Sequence, residues 1–518
     1  MNKIIKKTAI ALLLIGFFTS CSKDFLDLKP LDQEVTSSFY KTEEQAMQAL
    51  VSVYDVLGYQ ESSGTAWAPF IVVSDILSDD SYAGGADAND GQDEDEFNNF
   101  NIPTTSNIAR SIWIKNYIGI YRANLLLEKI DGVEASDEFK ARVIAECKFL
   151  RAYFYFEQVR YFENIVLLTK TISGPSEYAQ DQADPVDVYN QIALDLVESM
   201  SALPTAVPSD EAGRITKWAA EALLARVYLF YNGVYGNELM AGSTQINRAA
   251  ALAYLEDLIT NSSHDLFENY ADNFHLAGEF GKESVFEISY GDTPPWWDWG
   301  YARGGEGNLS AQMQGPRVTG STNWNRGWSF GTVSQKLVDE MENDPRLEYT
   351  VLFQEELDGT LDKGYQHTGY YSKKYSSDAE HWGASGQFEL NRTCNHRVIR
   401  YSDVLLMAAE LGSPNAQAYL DKVRARVGLG SIPATPENIY NERHLELALE
   451  GIRYFDVIRK GMDYASQQLT YSGIRGPNYI GDQQIFDVVF KPETRGFLPI
   501  PQIEIDLSGG KFVQNAGY

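Results

Sequence analysis

The stretch NERHLELALEGIRYFDVIR, residues 441–459, decides the fold class. Glu442, Glu446 and Glu450 are four residues apart, a spacing that puts three carboxylates on one face of a helix. Arg443 and Arg453 each stand three residues from one of these glutamates, where opposite charges pair along a helix. We therefore predict a helix over 437–460 whose charges form the ion network of a scaffold. The alternative is the acid and base of a glycosidase, which need a pocket and a separation of about 5–10 Å.

Helical patterns extend from this stretch through much of the chain. Near the start, Thr42 and Gln45 have the spacing of a capping box, and Ala46, Leu50 and Val53 then fall on one helical face. Prolines at several run ends mark helix boundaries. Further helices are predicted at about 107–130, 138–163, 186–203, 214–233, 247–260, 402–411 and 415–427.

Two of these helices carry similar sequences. Residues 145–153 can be laid on 220–228 with Ala, Glu, Arg and Tyr matching, and each run is followed by a second amphipathic segment. Residues 401–410 and 416–427 form a third pair of this kind. Paired helices that repeat in this way suggest degenerate tetratricopeptide-like units stacked on their neighbours. The fold class that we predict is mostly α, with generic helical packing as the alternative.

Two long segments lack helical periodicity. Residues 262–400 are rich in Gly, Trp, Tyr and Asn, so we predict loops, short strands and a hairpin there; residues 61–106 are polar and also predicted to be a long loop. Five of the nine tryptophans lie within residues 296–328. Loops of this length in compact proteins are usually functional. We expect a ligand-binding surface on these loops.

The aromatic residues of this surface suit a carbohydrate. A sugar offers a rim of hydroxyls and flat C–H faces, which an exposed ring and a few polar side chains match. The alternative is that the indoles pin the loops to the body, their N–H groups satisfied by nearby polar side chains. The candidate glycan-binding residues here are Trp296, Trp297, Trp299, Tyr301, Arg303, Trp324 and Trp328.

Composition and charge narrow the ligand class. The chain has 518 residues, and its 72 acidic residues against 43 basic ones give a net charge of −29. Such a chain does not hold nucleic acid by neutralising phosphates, and it weakly favours neutral glycans over uronic-acid polymers. No metalloprotease or Walker motif is present.

An acidic run in the loop over 61–106 is a candidate calcium-binding segment. Residues 87–96 depart from the EF-hand pattern, because Gly91 stands where an oxygen ligand belongs. A solvated loop is the favoured interpretation. We expect no cofactor, with bound calcium as the alternative.

The first residues predict export and lipidation. Lys3, Lys6 and Lys7 precede an apolar run from Ala9 to Phe18, which is too short to span a bilayer and typical of a signal peptide. The residues that end at Cys21 resemble a bacterial lipobox, so we predict a signal peptide over 1–20 and acylation of the Cys21 thiol. The alternative is a plain secreted protein. Residues 22–27 resemble the acidic tag that directs Bacteroidota lipoproteins to the outer face of the outer membrane.

Several segments together resemble the SusD/RagB family of outer-membrane nutrient-binding lipoproteins. The order of the motifs behind the lipobox is their most specific feature. The motifs, in chain order, are residues 24–27 leading into Phe39-Tyr40, then 117–124, 441–459, 498–506 and the closing residues Asn515 and Gly517-Tyr518.

The resemblance implies a SusD-like fold, a ligand and a partner. It implies a tetratricopeptide-like region over 21–261 and a region over 262–518 with ligand-binding loops and closing helices. It also implies that the protein covers a SusC-type TonB-dependent transporter and delivers captured oligosaccharide or polysaccharide to it. Loops at similar places frame the family's ligand site, so Asp80 and Tyr82 join the candidate glycan-binding residues. We expect a glycan binder that is not an enzyme; the alternatives are a binder of peptide or protein-derived nutrient and, less favoured, a surface glycosidase.

Overall fold

The fold is mostly helical, as the sequence predicts. A computed structural model describes residues 39–62, 66–292, 307–383, 389–474 and 486–518. The helices of these residues are α1 Glu43–Asp55, α2 Phe70–Ile76, α3 Gln92–Asn98, α4 Asn107–Lys129, α5 Asp137–Phe162, α6 Pro185–Ser199, α7 Lys217–Tyr235, α8 Arg248–Asn261, α9 Leu309–Gln314, α10 Gln335–Glu340, α11 Leu347–Thr350, α12 Tyr401–Glu410, α13 Ala416–Arg426, α14 Pro436–Leu447, α15 Arg453–Ile458, α16 Met462–Gln468 and α17 Gln502–Leu507.

Helix α1 begins at the capping box that the sequence predicts. The backbone N–H of Gln45 donates to Thr42 Oγ1 at 3.3 Å, and the backbone N–H of Thr42 donates to Gln45 Oε1 at 3.3 Å. These two bonds satisfy N–H groups that a helix start otherwise leaves without partners. The predicted apolar face, with Ala46, Leu50 and Val53, is buried. The capping box and the buried face are thus confirmed.

The predicted helix pairs are also confirmed. Helices α4 to α8 pack in succession, α8 packs on α12, and α12 packs on α13. Small residues let the helices approach closely: a Cβ on Gly119 in α4 would lie 2.4 Å from the Phe154 ring in α5. The stack therefore forms one continuous core, and α5 is buried on every side along its second half.

The prediction of one helix over 437–460 is wrong. Helix α14 ends at Leu447, and α15 starts only at Arg453. Between them, Leu449 has a φ of 61° and Gly451 a φ of 73°, backbone conformations that interrupt a right-handed helix. The Gly451 N–H donates to Asp75 Oδ1 at 3.0 Å, so a contact with α2 replaces the missing helical bond. Glu450 consequently lies in the turn rather than on the helix.

The scaffold interpretation of the glutamates is supported, although their partners differ from those predicted. Glu446 is fully buried among three guanidinium groups: Arg400 and Arg346 lie at 2.9 Å, and Arg426 also pairs with it. Burial opposes ionisation, yet the guanidinium groups outweigh it and hold the pKa of the Glu446 carboxyl well below its usual range. Arg443 and Arg453 pair instead with aspartates of other segments. The network thus ties α14 to the loop-rich middle of the chain.

Within the described ranges, the strands form six two-stranded antiparallel pairs. The pair that matters for the site is β1 (Ser81–Gly84) with β6 (Phe330–Val333), in which Ser81 lies opposite Val333 and Gly84 opposite Phe330. Within 262–400 the pairs join strands that are not consecutive, so the predicted hairpin is absent from the described residues there. The strands are β1 Ser81–Gly84, β2 Leu239–Ala241, β3 Thr244–Ile246, β4 Ser284–Ile288, β5 Val318–Thr319, β6 Phe330–Val333, β7 Val351–Phe353, β8 Thr360–Leu361, β9 Tyr370–Ser372, β10 His396–Arg400, β11 Tyr471–Ile474 and β12 Phe486–Val488.

Among the described helices, none combines the length and the apolar character that crossing a bilayer requires.

Candidate functional site

A cleft of about 1010 Å³ lies where the two long loop segments meet. One wall, which we call the acidic wall, is formed by residues 86–94. The opposite side, which we call the indole side, consists of Ala66, Trp67, Arg317, Trp328 and Phe330. The cleft therefore combines flat apolar rings with carboxylates and one guanidinium group, in the volume range of small-molecule sites.

Backbone hydrogen bonds hold the two sides together. Strand β1 leads into the acidic wall and pairs with β6, which follows Trp328. The ladder continues beyond the strand, because Gly85 N–H donates to the Ser329 carbonyl at 2.9 Å. Gly84 has a φ of 73°, and a Cβ there would lie 2.1 Å from the Ser329 oxygen. The close approach of the two sides thus requires glycine at this position.

The acidic wall is shaped by its own side chains. The Asp90 carboxylate accepts a hydrogen bond from the Ala86 N–H at 2.7 Å, and the Asp87 carboxylate accepts one from the Asn89 N–H at 2.8 Å. These are local turns of the kind that Asp favours. Asp87, Asn89 and Asp90 are exposed at the cleft, so their remaining oxygen and amide groups are available to hydroxyls.

Glu94 is the buried acid of the same wall. Its side chain is 8% exposed, and its Oε2 lies near Gly91 and the Phe330 ring. Burial raises the pKa of the Glu94 carboxyl to about 7; Asp93 and Asp90 act in the same direction, and the residue's own N–H opposes them. A carboxyl group that titrates near neutrality therefore lines the cleft.

Two tryptophans face the acidic wall. Trp67 and Trp328 are both half-buried and line the cleft. Trp328 Nε1–H donates to Glu389 Oε1 at 3.2 Å, and its backbone oxygen accepts a bond from Arg317 Nη1 at 3.3 Å. Arg317 also lies 3.7 Å from Asp362. The indole of Trp328 is thus fixed in position while part of its surface stays open.

The predicted glycan-binding residues fall into three groups. Trp328 lines the cleft, whereas Trp324 is half-buried and lies outside it, and its backbone N–H donates to Ser321 Oγ at 2.9 Å. Asp80 and Tyr82 form the second group and are treated below. Outside the described residues lie the predicted lipidation site and the first aromatic cluster: Cys21, Trp296, Trp297, Trp299, Tyr301 and Arg303.

The expectation that Asp80 and Tyr82 contact the ligand is corrected by their burial. Asp80 is 1% exposed and its Oδ1 bonds to His444 Nε2 at 2.8 Å. Tyr82 is 4% exposed, and its ring packs against Tyr471 with centroids 6.2 Å apart. Both belong to the segment that underlies the acidic wall, so they support the cleft without lining it.

Sequence reasoning missed Trp67 and Arg317. Trp67 stands in the polar loop over 61–106 with no helical periodicity around it. The same absence of helical periodicity makes the tryptophans of 296–328 candidate glycan-binding residues. The sequence therefore carries a signal for Trp67, because the same loop is expected to be functional. Arg317 follows a Gly-Pro pair, and nothing local marks it.

The acidic run does not fold as a single calcium loop. Residues 92–98 form α3, which starts directly after Gly91. Within the described ranges, no group of three or more His, Cys, Asp or Glu side chains is placed to hold a metal ion. Calcium binding stays a prediction.

Two family profiles match the chain. Residues 282–518 match a profile described as the SusD family, and residues 24–229 match one described as "Starch-binding associating with outer membrane". Together they cover most of the chain on both sides of the cleft.

Relatives and solved structures resemble the chain over most of its length. The SusD-like protein P25 of Formosa agariphila is 25% identical over 88% of this chain and 90% of its own. A solved laminarin-binding SusD-like protein is 34% identical with a TM-score of 0.80, and covers 92% of this chain and all of its own. The surface glycan-binding protein A of Bacteroides thetaiotaomicron, solved with laminarihexaose, is 28% identical with a TM-score of 0.78 over the same shares.

Proposed function

The chain belongs to the SusD family, and from this premise we propose that it binds a neutral glucan of the laminarin type in the cleft between the acidic wall and the indole side. The observation that carries the proposal is the pair of half-buried indoles facing a row of polar side chains, in a chain 34% identical to a laminarin-binding protein. Two similar solved proteins carry laminarin or laminarihexaose in their names, which favours this ligand over other glycans.

The chemistry of the cleft matches a sugar on both of its surfaces. The rings of Trp67 and Trp328 offer flat apolar faces to the C–H groups of a pyranose. Across from them, Asp87, Asn89 and Asp90 offer oxygens to hydroxyl donors, and charged acceptors form the stronger bonds. A glucan presents both kinds of surface on each of its units, so one chain can satisfy both sides of the cleft.

We propose binding without cleavage. The Asp90 and Asp87 carboxylates are each engaged in a turn of the acidic wall, which gives them a positional role. The two similar solved proteins are named as a laminarin-binding protein and a surface glycan-binding protein, which are descriptions of binding. Incubation of the protein with laminarin, followed by detection of new reducing ends, tests this part. Sustained release of reducing ends would overturn it.

The proposed setting is the outward face of the outer membrane. One matching family profile is described as associating with that membrane, and the Cys21 motif supplies an anchor. We propose a SusC-type TonB-dependent transporter as the partner that receives the glycan. Affinities in the micromolar to millimolar range suffice, since tethering beside a transporter raises the effective concentration. Co-purification of the tagged mature protein from its native membrane tests the partnership.

The ligand is tested by calorimetry on the mature protein. The panel contains laminarin, starch, a uronic-acid polymer and a mixture of peptides. We expect saturable binding of laminarin, with starch weaker and the last two absent. Peptide binding with no response to any glycan would overturn the proposal in favour of a peptide binder.

A further inference from the structure

The acidic wall holds one carboxyl whose environment calls for a ligand. Glu94 is more than nine-tenths buried yet lines the cleft. Its carboxyl accepts a hydrogen bond from its own N–H, and within the described part of the chain no basic side chain forms an ion pair with it. Buried charged groups are nearly always paired, so a buried carboxyl that faces a cavity without an ion-pair partner needs a reason.

The charges around Glu94 have one sign on its own side of the cleft. Asp87, Asp90 and Asp93 share the acidic wall with it, and strand β6 presents the uncharged Phe330 ring to it. Arg317 is the cation that lines the opposite side, and it already has Asp362 at 3.7 Å. An anionic group that entered the cleft beside Glu94 would meet repulsion from the acidic wall with little compensation.

We infer that Glu94 is a specificity-determining residue of this cleft, which accepts a hydrogen bond from a hydroxyl of a neutral glycan and excludes glycans that carry carboxylates. The inference rests on the proposed function and deepens it, because it names the property by which ligands are sorted. A sugar hydroxyl supplies a further donor to the buried carboxyl, which has no ion-pair partner among the described residues. A uronate carboxylate at the same place supplies no donor and adds a like charge.

The titration of Glu94 gives the selection a pH dependence. Because its pKa is raised to about 7, the carboxyl is charged in mildly alkaline solution and takes up a proton below neutrality. Protonation removes the share of the repulsion toward carboxylates that Glu94 contributes, while a protonated carboxyl still bonds to hydroxyls. Discrimination between neutral and anionic glycans should therefore weaken as the pH falls through neutrality.

The experiment compares two forms of one polymer. Laminarin and laminarin oxidised at its primary hydroxyls to carboxylates are titrated into the wild type, into Glu94→Gln and into the control Glu342→Gln. Glu342 is exposed and does not line the cleft. The affinities are measured at about pH 8.5, where Glu94 is charged, and at about pH 6, where it is largely protonated.

We expect the wild type to prefer laminarin over its oxidised form by about tenfold or more at the higher pH, and this ratio to fall several-fold at the lower pH. Glu94→Gln should show the smaller ratio at both pH values, and Glu342→Gln should behave as the wild type. Equal ratios in the wild type and Glu94→Gln would overturn the inference while the proposed function stands. If the variant does not fold, a pH-independent ratio in the wild type overturns it equally. Failure of the wild type to bind either polymer would overturn the proposed function and the inference with it.

Discussion

Replacement of Trp328 by alanine should weaken glucan binding without unfolding the protein. The ring is half-buried in the free protein, with Nε1 bonded to Glu389 at 3.2 Å, and the rest of its surface lines the cleft. A sugar that stacks on it covers roughly 50 Å² of that surface, worth about 1.2 kcal/mol at 25 cal/mol per Å². Specific ring contacts add to this, so we expect a loss of about 1–2 kcal/mol, or roughly 5- to 30-fold in Kd.

Calorimetry with laminarin is the assay, and two matched variants sharpen it. Trp328→Phe keeps a flat ring and loses the Nε1 donor, so it should retain most of the affinity. Trp382 is 37% exposed and does not line the cleft, so Trp382→Ala should change the Kd less than about twofold. An unchanged Kd in a folded Trp328→Ala protein, or an equal loss in Trp382→Ala, would refute the assignment of the cleft.

Three further outcomes concern stability and the shape of the cleft. Glu446→Gln removes the charge shared by three buried guanidinium groups, so the free energy of unfolding in urea should fall by about 3–5 kcal/mol; an unchanged midpoint would contradict the scaffold role. The pKa of Glu94 lies above its ordinary value of 4.5, so its ionisation costs stability above about pH 7 and this cost vanishes as the pH falls toward 4.5. Glu94→Gln should accordingly stabilise the protein at about pH 8 by up to about 3 kcal/mol in denaturant titrations, and should have little effect near pH 4.5. Equal changes in the free energy of unfolding at the two pH values would contradict the raised pKa of Glu94. In Gly91→Ala the new Cβ would lie 2.3 Å from Phe330 at a φ of 78°, so laminarin affinity should fall measurably in calorimetry, and wild-type affinity would speak against a fixed acidic wall.

The helices were predictable because their signals are local. The capping box at Thr42 and the apolar face of α1 are encoded within a dozen residues, and the structure reproduces both. The break after Leu447 was not predictable in the same way. A contact between Gly451 and Asp75, which are far apart in the chain, accompanies the break, and the helical charge pattern runs on through the turn. Local periodicity carries no information about such a contact.

The candidate site shows the same division. The two loop segments were identifiable from their composition, and Trp328 was found by its setting. The pairing of β1 with β6 joins residues about 250 positions apart in sequence, so nothing local indicated that Trp67 and Trp328 share one cleft. Asp80 and Tyr82, which the resemblance to the family had added to the candidate ligand-binding residues, are buried. Membership of a loop thus locates a site coarsely, and long-range pairing decides which side chains reach it.

The ladder between β1 and β6 has a kinetic consequence. Because hydrogen bonds already join the two sides at Gly85 and Ser329, the cavity exists before any sugar arrives, and no closing motion has to precede contact. The association rate of the glycan then depends on diffusion and orientation, and its dissociation rate depends on the contacts that it makes inside the cleft. A binding site built this way exchanges its ligand quickly, which fits the proposed transfer of glycan to a transporter.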